Sequence, residues 1–464
     1  MNRNGIWSRD REQPADGCPV GGRVMGWRER GRSLAARSLE KGRRPLVYGT
    51  LVAFSFLYYY RPEDFIPGLV YIPMAKITAF IAVAGLIFGG MSGGGRMKLP
   101  WAVRFLWLLL FQMALCVPTA IWRGGAFWTT FDLSKGVIVA MLISMAVVKL
   151  WEIRRLLFVQ VSAVAVVTII SVLIHHHNKD GRLTGIQNGI LENPNDLAIN
   201  IAISFPLGVA FMMRAKGLKK ALWGVALMFM ALGIVLSYSR SGLLAFIFTL
   251  IICIWEYGIK GKRMHIVLVT AVAMVVGMGA ALTTSHYRAR VASIVLGNIE
   301  GSGDKGSLEA RKALLKKSLL VAAGHPIFGV GPGCFVIVDS GWVVAHNTYT
   351  ELAAEEGFPA LILFLLALGA ALRNIARVKK SQQYQENAEF RILTQALWAG
   401  LVAYLIGAMF ASTEYNMYPY FLLGYACAMV RIMGQPAPEA QGSKERSLSR
   451  TIYDRIPRPE PSYR

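Results

Sequence analysis

The chain has 464 residues, 54% of them apolar and 17% charged, with a formal net charge of +23. That composition excludes a disordered polar chain and points to a membrane protein. The positive charge is spread over short loops and tails rather than gathered on one domain. It therefore fits anionic lipid headgroups, and no nucleic-acid partner is expected.

Residues 1–45 form a basic tail, rich in arginine from Arg3 to Arg44, expected to be cytoplasmic and without fixed structure. The tail is too long and too charged for a cleaved signal peptide, so the first apolar run reads as an uncleaved anchor, with Met25 a second candidate start. Apolar runs follow at 46–60, 69–91, 101–121, 132–150, 153–174, 197–213, 218–237, 241–257, 265–283, 358–376, 392–412 and 416–433. Most approach the ~20 residues a helix needs to cross about 30 Å of hydrocarbon. Backbone groups in lipid must be satisfied within their own segment, so the runs are helices. The expected fold is all-α and polytopic, with about twelve spans over 46–433.

Basic residues cluster on alternate short loops. Lys149, Arg154 and Arg155 mark one, Arg214, Lys216, Lys219 and Lys220 another, and Arg373, Arg377, Lys379, Lys380 and Arg391 a third. The intervening loops hold only Arg61, Arg123, Lys179 with Arg182, and Arg240. The positive-inside rule puts the first set, and both termini, in the cytoplasm. Residues 434–464 are expected to be a second cytoplasmic tail without fixed structure. Cys116, Cys253 and Cys427 fall in spans, Cys18 in the tail and Cys334 outside, so no disulfide framework is expected.

The outer loops hold the candidate site. His175, His176 and His177 end the fifth span, but three adjacent histidines do not face one metal. Glu63 and Asp64 have Arg61 as a simple ion partner. No metal site and no cofactor are expected. Asn193, Pro194 and Asn195 open the sixth span as an Asn cap followed by Pro at the first helical position. Arg240, within Ser237-Tyr-Ser-Arg-Ser241, is an arginine on the disfavoured side, which suggests an anion or a lipid phosphate.

The segment 284–357 is too long for a simple connection and is expected to fold as a helical subdomain outside the membrane. Ser307 can cap a helix from Leu308 to about Ala323, stopped by Gly324 and Pro326. At about 100° per residue, Glu309, Lys312 and Lys316 share a polar stripe. Arg311 lies away from it, on the side with Leu315 and Ala322, either binding an anion or snorkelling. Gly329, Gly331 and Gly333 with Pro332 read as a tight turn, because no strand-to-helix context supports a phosphate loop. Thr348 and Glu351 form a capping-box pattern for a short helix ending at Gly357, with Pro359 in the first turn of the next span. His346 and Asn347 then sit before a helix N-terminus, whose partial positive charge favours neutral imidazole.

The Gly-rich turn, the His346-Asn347 pair and the Glu356-Gly357 ending resemble the O-antigen ligase and polymerase family, the Wzy C-terminal region shared with bacterial protein O-oligosaccharyltransferases. Gly185 with Asn193-Pro194-Asn195 and the Ser239-Arg240 pair match the same pattern over about residues 183–372. The resemblance implies a fold like that of the C-type glycosyltransferases and metal-independent, inverting chemistry at the periplasmic face of the bacterial inner membrane. The implied partners are a glycan donor on undecaprenyl diphosphate, an acceptor glycolipid, glycan or protein, and membrane lipids. His346 becomes the expected catalytic base. Arg240, Arg311 and Arg288 become diphosphate ligands, with Arg290 a further neighbour. Asn347, Asn193, Asn195 and Ser239 become walls of the site. The rival from another class is a lipid-linked glycan transporter, which would place charge at mid-membrane. Lys76 and Lys135 are its only candidates, both expected near helix ends.

Overall fold

The computed structural model describes residues 45–60, 74, 77–84, 99–178, 181–185, 191–261, 304–338 and 343–434. All belong to the larger of two units, residues 44–464. The two tails, most of the second predicted span, the ninth span, Arg61, Glu63, Asp64, Lys76, Arg288 and Arg290 lie outside the described residues.

The helices are α1 (Pro45–Tyr60), α2 (Trp101–Cys116), α3 (Arg123–Ala146), α4 (Leu150–Leu173), α5 (Pro194–Arg214), α6 (Leu218–Leu236) and α7 (Arg240–Cys253). They continue as α8 (Asp304–Gly324), α9 (Phe335–Val338), α10 (Thr348–Lys379), α11 (Gln382–Glu386), α12 (Ala388–Gly407) and α13 (Tyr418–Met433). Among the described residues there is no β-strand beyond an isolated bridge from His177 to Leu183. Eight helices there are long and apolar enough to cross a membrane: α2 with its 3₁₀ extension to Thr119, α3 to α6, α7 with its π-turn extension to Ile259, α10 and α12. At 16 residues each, α1 and α13 reach about 24 Å and fall short of the full hydrocarbon thickness.

The core is a bundle around α5 and α12. α5 packs on α6, α7 and α12, while α10 packs on α2 and α13, and α13 on α3. Small residues permit the close approaches: a Cβ on Gly242 would stand 2.1 Å from that of Ala198, so α7 lies directly on α5.

Several expectations are corrected, among them the Ser307 cap, because α8 begins at Asp304 and Ser307 lies inside it. The fourth span begins at Arg123 and not at 132, so Lys135 lies mid-helix rather than near an end. Its ammonium pairs with Asp132 one turn back, which lowers the cost of placing a charge there. The Thr348 capping box does not form. Asn347 is the N-cap, its Oδ1 accepting from the N–H groups of Tyr349 and Thr350 at 3.0 and 3.2 Å. The Thr348 hydroxyl is buried instead and donates to the Ala411 carbonyl at 2.7 Å.

The loops at one end of the bundle carry the paired charges. Arg154 and Arg214 share the Glu389 carboxylate at 3.0 and 3.1 Å. Lys379 and Lys260 share Glu256 at 2.6 and 3.6 Å. Arg431 donates to the Ser144 and Met145 carbonyls at the end of α3. These are loops that the charge pattern assigns to the cytoplasm.

Candidate functional site

The opposite end of the bundle gathers the sequence-predicted residues, and the chain reaches it through four helix termini. At the start of α5, Asn193 caps the helix by accepting from Asn195 N–H at 2.8 Å, with Pro194 at the first position. The Asn195 Oδ1 then accepts from the Ser239 hydroxyl at 2.8 Å and from the Arg182 guanidinium at 2.8 Å. Ser239 in turn caps α7 through Gly242 N–H, which makes Arg240 the first residue of that helix. Arg182 also donates to the Ser237 carbonyl at 3.0 Å. Asn195 and Ser239 thus hold Arg182 against the start of α7, beside half-buried Arg240.

The second arm comes from α8. Arg311, Leu314, Ser318 and Ala322 form its inward stripe, one residue every three to four. Leu315, expected beside Arg311, is exposed instead. The Ser318 hydroxyl donates to that of Thr350 at 3.0 Å and fastens α8 onto the first turn of α10. Two turns earlier on the same face, Arg311 reaches the neighbourhood of His346.

His346 lies half-buried in the turn before α10, with φ of 56°. Its pKa is lowered from 6.5 to about 4, first by burial and then by the Arg311 and Arg182 guanidiniums. Neutral imidazole was expected, and for a different reason. Burial and two cations from distant segments act on the ring, where the sequence offered only a helix terminus. Of the expected walls, Asn195 and Ser239 take part in the arginine network, whereas the Oδ1 atoms of Asn193 and Asn347 are used as helix caps.

The site rests on a break in α10. Gly357, at φ 82°, is non-helical, and Pro359 supplies no N–H. The carbonyls this leaves are taken up by the Gly-rich turn: Val330 N–H donates to Ala354 O at 2.9 Å and Gly331 N–H to Glu355 O at 2.8 Å. Phe358 N–H pairs with Pro326 O at 2.9 Å. A Cβ on Gly357 would stand 2.3 Å from the Ile327 carbonyl oxygen. The turn reads as expected, a clasp rather than a phosphate loop.

Beneath the turn lie four buried carboxyl groups: Glu351, expected only as part of a helix cap, Glu356, noted only in the Glu356-Gly357 ending, and Glu355 and Glu414, which the sequence did not single out. Glu355 accepts from Gly333 and Phe335 N–H, each at 2.8 Å, which suits an ionised carboxylate. The Tyr415 hydroxyl contacts both Glu355 and Glu356. One hydroxyl carries one hydrogen and can donate to only one of them. The other acid therefore carries a proton of its own, and Glu356, with one oxygen unpartnered, is the one that fits. Burial, then the Glu355 charge, raises the Glu414 carboxyl well above its ordinary range. The available signal was three glutamates at i, i+4 and i+5 in an otherwise apolar stretch. Among the described residues no group of three or more His, Cys, Asp or Glu side chains is arranged to hold a metal ion.

The sequence between α6 and the middle of α10 decides the comparison. Residues 225–365 match the O-antigen ligase family model. No curated protein matches the chain. The O-antigen ligase match contains Ser239, Arg240, Arg311, His346 and the Glu351–Glu356 run. Arg182, Asn195 and Glu414 lie outside it and join the site through the fold. The chain is thus a multi-pass membrane protein in which one segment matches the O-antigen ligase family model.

Proposed function

We propose that the protein is a glycan ligase of the bacterial inner membrane, moving an oligo- or polysaccharide from undecaprenyl diphosphate to an acceptor hydroxyl at the periplasmic face. The observation that carries this reading is the placement of a neutral imidazole, His346, under the influence of two arginines from separate segments, Arg311 and Arg182. It is supported by the family match and by the paired basic loops at the other end, which fit a cytoplasmic face.

In this mechanism His346 takes the proton of the acceptor hydroxyl. The acceptor oxygen forms a bond to the anomeric carbon from the face opposite the leaving group, and configuration inverts. The bond between that carbon and the diphosphate oxygen breaks, and its electron pair departs with the diphosphate. Arg311, Arg182 and Arg240 hold the departing charge, an interaction that strengthens as charge develops. Arg288, in the matched segment, is assigned the same role. The glutamates hold the turn and the base in place and need no metal in this scheme.

The test is His346→Ala in membranes charged with lipid-linked glycan. Transfer should fall by ~10²–10⁴ as the general base is lost, with donor still retained by the arginines. Near-normal transfer would overturn the base assignment, and loss of donor binding together with transfer would assign His346 to substrate capture; absence of transfer by the wild type would favour the transport reading.

A further inference from the structure

His346 adopts a backbone conformation that is uncommon for any non-glycine residue. Its φ of 56° is in the left-handed region, where a Cβ crowds the backbone and Gly or Asn is the usual occupant. Such a residue persists only where its surroundings over-determine it. Its own peptide N–H and that of the residue before it are both held, and both lead to one carboxyl oxygen. Ala345 N–H donates to Glu351 Oε2 at 3.2 Å. His346 N–H donates to Ser412 Oγ at 3.1 Å, and the Ser412 hydroxyl donates onward to the same Glu351 Oε2. Every hydrogen in this chain has one donor and one acceptor. Glu351 is 2% exposed, so no solvent competes for it. Ser412 itself is fixed from α12, because Thr348 N–H donates to the carbonyls of Ala408 and Ala411 just before it.

We propose that Glu351 and Ser412 are positioning residues that hold His346 in its left-handed turn, so that the ring stays in the half-buried place under the influence of Arg311 and Arg182. This rests on the role given to His346 above, and it adds that the base is aimed by a carboxylate that never touches substrate. The carboxylate acts through the backbone and not through the imidazole, which separates it from a catalytic dyad. The charged groups acting on the ring are Arg311 on α8 and Arg182 on the segment between α4 and α5. If the bracket is cut, the turn relaxes toward ordinary φ values and the ring leaves both cations.

The experiment reads the ring rather than the reaction. Purified full-length protein in detergent is treated with diethyl pyrocarbonate, which modifies neutral imidazole, across a pH series. Modification of the His346 peptide is followed by mass spectrometry, with exposed His325 as internal reference. In the wild type His346 should titrate near pH 4. Ser412→Thr keeps the hydroxyl and Glu351→Gln keeps an accepting oxygen, and both should leave that midpoint in place. Ser412→Ala and Glu351→Ala should raise it by about one unit or more, toward the free value near 6.5. In transfer assays the same two variants should lose kcat with little change in KM for donor. An unmoved His346 midpoint in Ser412→Ala, the milder change, would overturn the proposal. Failure of the base assignment would appear separately, as full transfer by His346→Ala, whatever the titration showed.

Discussion

The two ends of the helix bundle treat charge in opposite ways. At the end with the basic loops, two carboxylates are each shared by two cations: Glu389 by Arg154 and Arg214, Glu256 by Lys379 and Lys260. At the other end the carboxyl groups of Glu351, Glu355, Glu356 and Glu414 are buried and bonded to hydroxyls and peptide N–H groups. The guanidiniums of Arg311 and Arg182 act on a histidine instead. A pair that neutralises itself anchors an end in the headgroup region. Guanidiniums that act on a histidine at the same end suit the departing diphosphate proposed above. The difference supports placing the proposed chemistry at the end that holds His346.

The largest expected effect tests that difference directly. Arg311→Ala and Arg182→Ala should each reduce transfer by ~10²–10³, the range seen when one preorganised stabiliser of developing charge is removed. Arg154→Ala and Arg214→Ala, at the other end, should change transfer less than about twofold, because exposed pairs contribute ~0–1 kcal/mol. Steady-state transfer rates at matched protein levels check both. Comparable losses at the two ends would erase the contrast.

Next comes the clasp under the site. Gly357→Ala must adopt φ 82° and place a Cβ 2.3 Å from the Ile327 carbonyl oxygen. The left-handed backbone alone costs roughly 1–2 kcal/mol. The expected result is a clear drop in melting temperature in detergent, with the Gly-rich turn loosened from α10. An unchanged melting temperature would mean that the turn is not held there.

The break at Gly357 was legible because Gly, Pro and a change in hydropathy coincide within three residues. The spans were legible because lipid imposes one length and one composition on every helix that crosses it. The Asn193 cap and the place of His346 before a helix were legible as local patterns. Arg182 was not, because nothing in its own segment marks it. Its place depends on Leu183 N–H reaching the Leu236 carbonyl and on Asn195 accepting its guanidinium. The clustering of the glutamates was hidden for the same reason: Glu351 meets Ser412, and Glu355 meets Tyr415, across some sixty residues of chain. Lys135 was misplaced because a single charge in an apolar run reads as a helix end, and its Asp132 partner was not weighed against that.

A smaller effect sharpens the comparison from the basic side. Glu389→Gln removes a carboxylate shared by two arginines that are each more than a third exposed. Solvent screening limits the expected loss to under about 1 kcal/mol, and added salt should shrink it further. Thermal unfolding at low and high salt measures it, and a salt-independent loss would point to packing.

The pH dependence of transfer tests the central claim most directly. His346 has a folded-state pKa of about 4 because burial and two guanidiniums disfavour its charged form. Protonation is harder in the folded chain than in the unfolded one, so acid favours unfolding. The stability contribution of the neutral ring is complete above about pH 6.5 and is lost as pH falls toward 4. Over the same range the base stays neutral and competent in the folded enzyme. The wild-type rate should therefore hold from pH 7 down to pH 5 and fall only near pH 4, and Arg311→Ala should move that fall upward. A wild-type rate that halves near pH 6.5 would contradict the account, because it would mean a solvated imidazole away from the cations.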